Sequence, residues 1–283
     1  MTNQASIDSV PQLRLNDGHH IPQLGFGVFQ VPPEETAEAV ARALSTGYRS
    51  IDTAAAYGNE AGVGEAVGDS ELNREELFIT TKLWNGDHGR DAALTAFGQS
   101  LERLGFDYVD LYLIHWPIPS RDLYTETWQA LTELKADGRA RSIGVSNFNE
   151  DHLDRIIDAT GVVPAVNQIE LHPRLIQAQL RRYHHERGIV TEAWSPLAKG
   201  GEFLGDPTIE EIAQAVGRTA AQVVLRWHLQ LGNVVIPKSV TPSRIDENFR
   251  LFDFELSAEQ MDKITRLDVG ERTGPDPATF ANA

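Results

Sequence analysis

Four side chains in the first half of the sequence, Asp52, Tyr57, Lys82 and His115, are of the types needed to hand a proton to a developing alkoxide. Hydride addition to a carbonyl produces such an oxyanion, and near neutral pH something must supply its proton. A free phenol has a pKa of about 10, high for an efficient acid, but a neighbouring ammonium favours the phenolate and lowers that value. Lys82 is the ammonium available to Tyr57. Asp52 is expected to pair with Lys82 and fix its position, while His115 is expected to hydrogen-bond and orient the reacting oxygen. Each residue has a plainer reading alone: Tyr57 as a loop aromatic, His115 as a satisfied core histidine, Asp52 as a helix cap. Together they make the sharper hypothesis.

These groups can meet only if the backbone delivers them to one place. Short apolar runs recur at 24–29, 48–53, 77–83, 109–116, 140–146, 165–171, 189–195 and 233–239. Between them lie segments of helical periodicity, at 34–46, 91–104, 125–136, 151–159 and 176–186, several starting near an acidic or hydroxyl residue that could cap free N–H groups. Continuous apolar runs suit parallel strands covered by helices. Eight repeats predict an α/β fold of the (β/α)₈ TIM-barrel type, with an open doubly wound sheet as the alternative. That alternative usually carries a Gly-rich fingerprint after its first strand. Leu24-Gly25-Phe26-Gly27 lacks the third glycine. Ahead of the barrel, Leu13 to Leu15 and Ile21-Pro22 flank Asn16-Asp17-Gly18, whose Asp-Gly step predicts a tight hairpin cap.

A (β/α)₈ barrel gathers its active groups at the C-terminal ends of its strands. Asp52, Lys82 and His115 fall at such ends, and so do Ser146, Asn147, Trp194, Ser195, Lys238 and Ser239, with Gln168 within the sixth run. Any one of these could simply cap a strand; seven runs behaving alike strain that reading.

The chain has 283 residues, which a rule of about 150 per domain would divide in two, although one barrel needs about 250. No Pro/Gly/Ser-rich linker divides it, and one barrel domain over 1–283 is expected, with 1–10 a flexible start and 270–283 a tail near the substrate pocket. Acidic side chains number 41 against 25 basic, and the net charge of −16 makes nucleic acid a poor partner. An anionic small molecule would need a local basic cluster. There is no cysteine, which excludes disulfides, thiolate catalysis and Cys-ligated metal sites. The first ten residues lack a secretory signal and no run approaches the ~18 apolar residues of a membrane span, so a cytoplasmic protein away from membranes is expected. Gly144 to Phe148 lacks the second glycine of a nucleophile elbow, and no His-Glu-x-x-His occurs, so neither serine hydrolysis nor a metal is expected.

Along nearly its whole length the sequence resembles the aldo-keto reductases. The resemblance is carried by Gly47-Tyr48-Arg49-Ser50-Ile51-Asp52-Thr53-Ala54, Tyr57-Gly58-Asn59-Glu60, Thr81-Lys82-Leu83-Trp84, and Val109 through Ile114 followed by His115-Trp116-Pro117. Further on it continues in Ile143-Gly144-Val145-Ser146-Asn147-Phe148, Asn167-Gln168-Ile169-Glu170-Leu171-His172-Pro173 and Ile236-Pro237-Lys238-Ser239. Within the family the likeness is to bacterial 2,5-diketo-D-gluconate reductases, through Trp194, where many relatives carry tyrosine, and through the short segment after Trp116.

The resemblance implies that Asp52, Tyr57, Lys82 and His115 form the catalytic tetrad of an NADPH-dependent carbonyl reductase. It implies that Ser146, Asn147 and Gln168 hold the nicotinamide carboxamide, that the ring stacks on Trp194, and that Asp52, Ser195, Pro196, Leu197 and Val240 also line the cofactor. Lys238, Ser239 and Arg244 would surround the adenosine 2′-phosphate, supplying the basic cluster sought above, and Glu247 and Asn248 would face the adenine and ribose. Phe29, Trp84 and Trp116, with His115, would wall a pocket for aldehydes, α-dicarbonyls such as methylglyoxal, or keto sugars such as 2,5-diketo-D-gluconate. An NADPH-binding regulatory subunit with slow oxidoreductase activity is the alternative, without support from the acidic surface. An acidic barrel without an apparent apolar patch is expected to be a monomer.

Overall fold

The computed structural model describes residues 10–282; the expected flexible start falls, except for Val10, outside them. Two short strands, β1 (Gln12–Arg14) and β2 (His20–Pro22), pair antiparallel with Leu13 opposite Ile21. The turn between them is one residue longer than the tight Asp-Gly hairpin. Gly18 N–H donates to Leu15 O at 3.1 Å and Leu15 N–H to His19 O at 2.8 Å. Gly18 takes φ +94°, the positive-φ step that a three-residue hairpin loop requires.

Eight parallel strands follow: β3 (Phe26–Gly27), β4 (Ser50–Asp52), β5 (Phe78–Leu83), β6 (Val109–Ile114), β7 (Ala140–Ser146), β8 (Val166–Glu170), β9 (Val190–Trp194) and β10 (Val234–Val235). Each pairs with its sequence neighbour. The ends of the sheet meet where Leu24 bridges Val235, with Gly25 N–H on Val235 O at 2.8 Å and Val235 N–H on Gln23 O at 3.1 Å. The expected barrel is therefore the observed architecture. All eight apolar runs contain a strand, though β3 and β10 keep only two residues each, so Lys238 and Ser239 lie past the end of β10.

Ten helices cover the barrel among the described residues. They are α1 (Pro33–Thr46), α2 (Glu60–Gly68), α3 (Arg90–Leu104), α4 (Tyr124–Ala136), α5 (Glu150–Thr160), α6 (Ala178–Arg187), α7 (Pro207–Val216), α8 (Ala220–Gln230), α9 (Pro242–Phe249) and α10 (Ala258–Thr265). Of the five segments read as helical from periodicity, only α5 starts on a side-chain cap, the Asn149 capping box. Pro32, Gly89, Leu123 and Gln177 precede the other four without one. Caps occur instead at Asp206, Thr219 and Ser257, ahead of α7, α8 and α10. No helix of the described residues is long and apolar enough to cross a membrane.

Strand side chains alternate between faces, and here the two faces differ in kind. Outward residues such as Ile51, Ile79, Ile114, Val145, Ile169 and Val235 join the helices in the main core. Inward, Phe78, Leu111, Leu113, Val166 and Val234 form a second apolar cluster with Leu15 and Ile21 of the hairpin, which thereby plugs the N-terminal mouth. Lys135 Nζ on Asp17 Oδ2 at 2.9 Å and Asn16 Nδ2 on Pro164 O at 2.9 Å pin the plug. Four residues beyond Phe78 on the same inward face lies Lys82. The barrel axis thus runs from a dry apolar floor to an ionisable upper end.

Closure at this diameter leaves no room for some side chains. A Cβ added at Gly144 would lie 2.5 Å from Val166 O and 2.8 Å from Leu113 Cδ2. At Gly98, within α3, an added Cβ meets nothing within 4 Å. Gly144→Ala is expected to destabilise by about 1–3 kcal/mol through overpacking. Gly98→Ala is expected to stabilise by about 0.5–1 kcal/mol through helix propensity. Urea unfolding of the two variants beside the parent checks both signs, and equal effects would mean that the barrel interior is not close-packed at Gly144.

Candidate active site

Asp52 is the last residue of β4 and Lys82 the fifth of the six in β5, so both project inward at the upper end. Lys82 has no solvent exposure of its side chain, and its three donors are used locally. Nζ donates to Asp52 Oδ1 at 2.6 Å, to Thr53 O at 2.9 Å and to Tyr57 Oη at 3.4 Å. Tyr57 ends a 3₁₀ turn, Ala55–Tyr57, whose exit at Gly58 takes φ +67°. Asn59 fixes that turn. Its Oδ1 accepts from Thr53 Oγ1 at 2.8 Å and its Nδ2 donates to Val28 O at 2.9 Å and Val31 O at 3.2 Å, tying the loop after β4 to the loop after β3. His115 directly follows β6, with its ring 5.6 Å from that of Tyr57 and 5.3 Å from that of Trp84, both edge-on. The four residues singled out for proton delivery are thus brought together.

Burial and charge set the protonation states. Burial pushes Lys82 toward neutrality, but Asp52, Tyr57 and Glu192 together outweigh it and hold the ammonium above its ordinary value. Burial pushes the Tyr57 phenol up, and Lys82 opposes without reversing this. The net direction for Tyr57 is therefore upward, opposite to the lowering expected from the ammonium alone: desolvation of the phenolate is the larger effect. His115 is held well below its ordinary value by burial and by Lys82, so it is neutral.

The other predicted residues form a hydrogen-bonded arc on the opposite wall. Ser146 Oγ donates to Gln168 O at 2.8 Å, and Asn147, at φ +63°, donates Nδ2 to His115 O and to Ser146 Oγ, both at 3.0 Å. Trp194 Nε1 donates to Asn147 Oδ1 at 2.8 Å, which fixes the indole plane. Gln168 Nε2 donates to Asp52 Oδ2 and to Glu192 Oε2, both at 2.8 Å, so its amide hydrogens point into the barrel. Ser195, at φ +47°, turns the chain after β9, Pro196 O is bonded to His228 Nε2 at 3.1 Å, and Leu197 packs on the core.

Farther out, Lys238 and Arg244 are exposed and have no ion-pair partner among the described residues. Ser239 is buried and Val240 exposed beside them. Thr241 opens α9 without a side-chain cap. Asn248 is buried one turn beyond Arg244, while Glu247 accepts from Thr219 Oγ1 at 2.8 Å and so serves the start of α8.

Aromatic rings lie beside the arc and the tetrad. Phe29, half exposed, lies 5.0 Å from Tyr57; Trp84 abuts His115; Trp116 is 6.4 Å from Trp194 and 4.4 Å from Phe280 of the tail. The tail is seated by Glu170, whose Oε1 accepts from Thr273 N at 2.5 Å, Thr273 Oγ1 at 2.6 Å and His172 Nε2 at 3.1 Å. Burial would raise Glu170, but these bonds outweigh it and hold the carboxylate ionised. Asn85 Nδ2 then donates to Asn282 O at 2.6 Å.

Glu192, Glu170, Thr53, Asn59, Asn85 and Phe280 escaped the sequence reading of the site. Glu192 carried a signal: it stands two residues before Trp194 and must share its inward face. Glu170 stands two after Gln168 by the same rule. Nothing in the pattern singled out Phe280 within the tail expected near the pocket, or Asn85, because a tail's docking is not periodic.

The family model for the aldo/keto reductase family matches residues 23–269. An aldo-keto reductase of Mycobacterium sp. (strain KMS) is 57% identical over 270 residues, 95% of this chain and 98% of that protein. The methylglyoxal reductase DkgA of Escherichia coli (strain K12) is 54% identical over 269 residues, 95% and 97% of the two chains. A crystal structure of an Asp-to-Ala mutant of Gox0644 in complex with NADPH superposes with a TM-score of 0.93 at 51% identity, covering 96% of this chain and 99% of that one.

Removing the ammonium is expected to cost more than removing the pair. Lys82→Met leaves Asp52 buried beside Gln168 alone and is expected to destabilise by about 3–5 kcal/mol. Adding Asp52→Asn to that variant is expected to recover part of the loss. A double-mutant cycle in urea measures it, and strictly additive losses would show that the pair does not act as a unit.

Proposed function

The chain belongs to the aldo/keto reductase family, and we propose that it is an NADPH-dependent reductase of small aldehydes and ketones in which Tyr57 is the general acid. One observation carries the reading: a fully buried ammonium, Lys82 Nζ, lies 2.6 Å from Asp52 Oδ1 and 3.4 Å from Tyr57 Oη, with the neutral His115 ring beside the phenol.

NADPH, when bound, supplies the hydride. The residues fit such a cofactor on two observations. Trp194 has its indole fixed by Asn147 and offers a broad apolar face for a nicotinamide ring. Lys238 and Arg244, without an ion-pair partner among the described residues, stand beside an uncapped helix start on a chain of net charge −16, and suit a 2′-phosphate with Ser239 between them in sequence. Ser146, Asn147 and Gln168 are the polar groups beside the indole that would meet the carboxamide; Asp52, Ser195, Pro196, Leu197 and Val240 would line the middle, and Glu247 and Asn248 the adenosine end.

The chain's own part in the reaction is to hold, aim and release one proton. Burial keeps Tyr57 protonated, as a proton donor must be. As negative charge grows on the carbonyl oxygen, Tyr57 Oη gives up its hydrogen to that oxygen and becomes a phenolate. Lys82 then faces an anion, and its attraction, weak toward the neutral phenol, is realised in the transition state. Neutral His115 would direct a ring N–H at the oxygen, and Tyr57 remains the proton donor. Asp52, Thr53 O and Asn59 keep Lys82 and Tyr57 in register.

For substrate, Phe29, Trp84, Trp116 and Phe280 bound an apolar slot that admits small carbonyl compounds by shape. An α-dicarbonyl of the methylglyoxal type is favoured over keto sugars such as 2,5-diketo-D-gluconate, because the DkgA relative is named a methylglyoxal reductase and the described lining is mostly aromatic.

With methylglyoxal and NADPH, Tyr57→Phe is expected to lower kcat by about 10²–10⁴ while NADPH affinity stays near that of the parent. Nicotinamide absorbance and fluorescence titration measure the two, and a Phe variant of full activity would exclude Tyr57 as the acid. Arg244→Ala is expected to raise the NADPH Kd about 10- to 100-fold, the worth of a charge-assisted hydrogen bond, and to leave NADH almost unchanged; equal weakening of both would contradict the 2′-phosphate assignment.

A further inference from the structure

Beneath the tetrad lies a second carboxyl group that the proposed reaction does not use. Glu192, on β9, is 1% exposed, and its Oε2 accepts from Gln168 Nε2 at 2.8 Å. The same nitrogen donates to Asp52 Oδ2 at 2.8 Å. Two buried carboxyl groups therefore share one amide and one ammonium.

The groups facing Glu192 are Asp52 from β4, Lys82 from β5, Gln168 from β8 and Tyr57 from the turn after β4. Its strand neighbour on β10 is Val234, and Glu170, the carboxylate that ends β8, is committed to His172, Thr273 and Gly274. Lys82 is the cation among them, and it lies 2.6 Å from Asp52. Two carboxylates against a single ammonium in a dry interior would leave a buried net negative charge, which costs several kcal/mol per uncompensated ion. Retaining one proton relieves it. Asp52 holds the ammonium, so the proton falls to Glu192, on Oε1, because Oε2 already accepts from Gln168. Burial and the Asp52 charge push Glu192 up to about 8.

We propose that Glu192 is a positioning residue that carries a proton at neutral pH and, by releasing it to solvent in alkaline solution, sets the pH at which Tyr57 loses its own. The inference rests on the reductase reading above. While Glu192 is neutral, Lys82 is opposed by Asp52 alone and its attraction reaches Tyr57. Once Glu192 ionises, the added negative charge repels a phenolate, and the phenol keeps its proton to higher pH. The site thereby extends acid catalysis into alkaline solution.

Two measurements on the whole protein test this. Infrared difference spectroscopy on the wild type should show the carbonyl band of a protonated carboxylic acid at pH 7. That band should fade as pH rises through about 8 and be missing from Glu192→Gln. A wild type without the band at pH 7 overturns the proposal, whether or not the variant folds. Second, in pH profiles of kcat/KM for methylglyoxal reduction, each scaled to its own maximum, the alkaline limb of Glu192→Gln should move to lower pH by about one unit. A role confined to packing would scale the profile without moving it, so superimposable limbs overturn the proposal. If wild-type enzyme fails to turn over any carbonyl while the infrared band behaves as described, the reductase reading falls and the protonated Glu192 stands.

Discussion

A lysine ammonium with no access to water must have every donor occupied and its charge balanced, and Lys82 imposes that requirement on the whole upper barrel. Asp52 supplies the balancing charge, Thr53 O a second acceptor and Tyr57 Oη a third. Those partners come from β4 and the turn after it, so the turn cannot move without opening the ammonium to an unpaired state. Asp52 needs in turn a donor for its other oxygen, which Gln168 provides from across the barrel. One buried charge thus couples strands β4, β5, β8 and β9, and the Asn59 bonds extend the coupling to β3.

The requirement is tolerable only because the lower barrel is dry and closed. Leu15 and Ile21 of the hairpin meet Phe78, Leu111, Leu113 and Val166 at the N-terminal mouth, so water does not reach Lys82 from below. An open mouth would raise the local dielectric and weaken every interaction that Tyr57 feels. The apolar floor therefore belongs to the electrostatics of the site as much as to the stability of the fold, and the glycines at 25, 27 and 144, where a Cβ would meet neighbours at 2.9, 2.9 and 2.5 Å, let the strands close tightly enough to maintain it.

Much of this was legible in the residues before any coordinates. Eight apolar runs specified eight strands because burial on both faces writes a continuous apolar signature, and the polar residues at their ends come together because strand ends share one end of a barrel. The helix starts were read less well: tertiary packing holds α1, α3, α4 and α6 in place without the side-chain caps that local pattern suggested. Lys238 and Ser239 lie beyond β10 because barrel closure through Gln23 and Gly25 uses up Val235. The direction for Tyr57 was misjudged for a definite reason. Sequence spacing reveals a neighbouring ammonium, whereas desolvation depends on how many atoms surround the phenol, which only packing tells.

The tail shows what no periodicity could reveal. Glu170 ends β8 facing inward, one strand pair from Trp194, and gathers the Thr273 and Gly274 amides. Gly274 lies so close over the indole that an added Cβ would sit 2.5 Å from Trp194 Cη2. The tail beyond it carries Phe280 to Trp116, and Lys199, from the loop after β9, bonds Thr273 O at 2.6 Å. The indole proposed to stack the nicotinamide is therefore also a seat of the tail that carries Phe280. On the proposed reading, the residue that would seat the cofactor ring also seats the tail, so packing at Trp194 would couple the position of Phe280 to that of the ring.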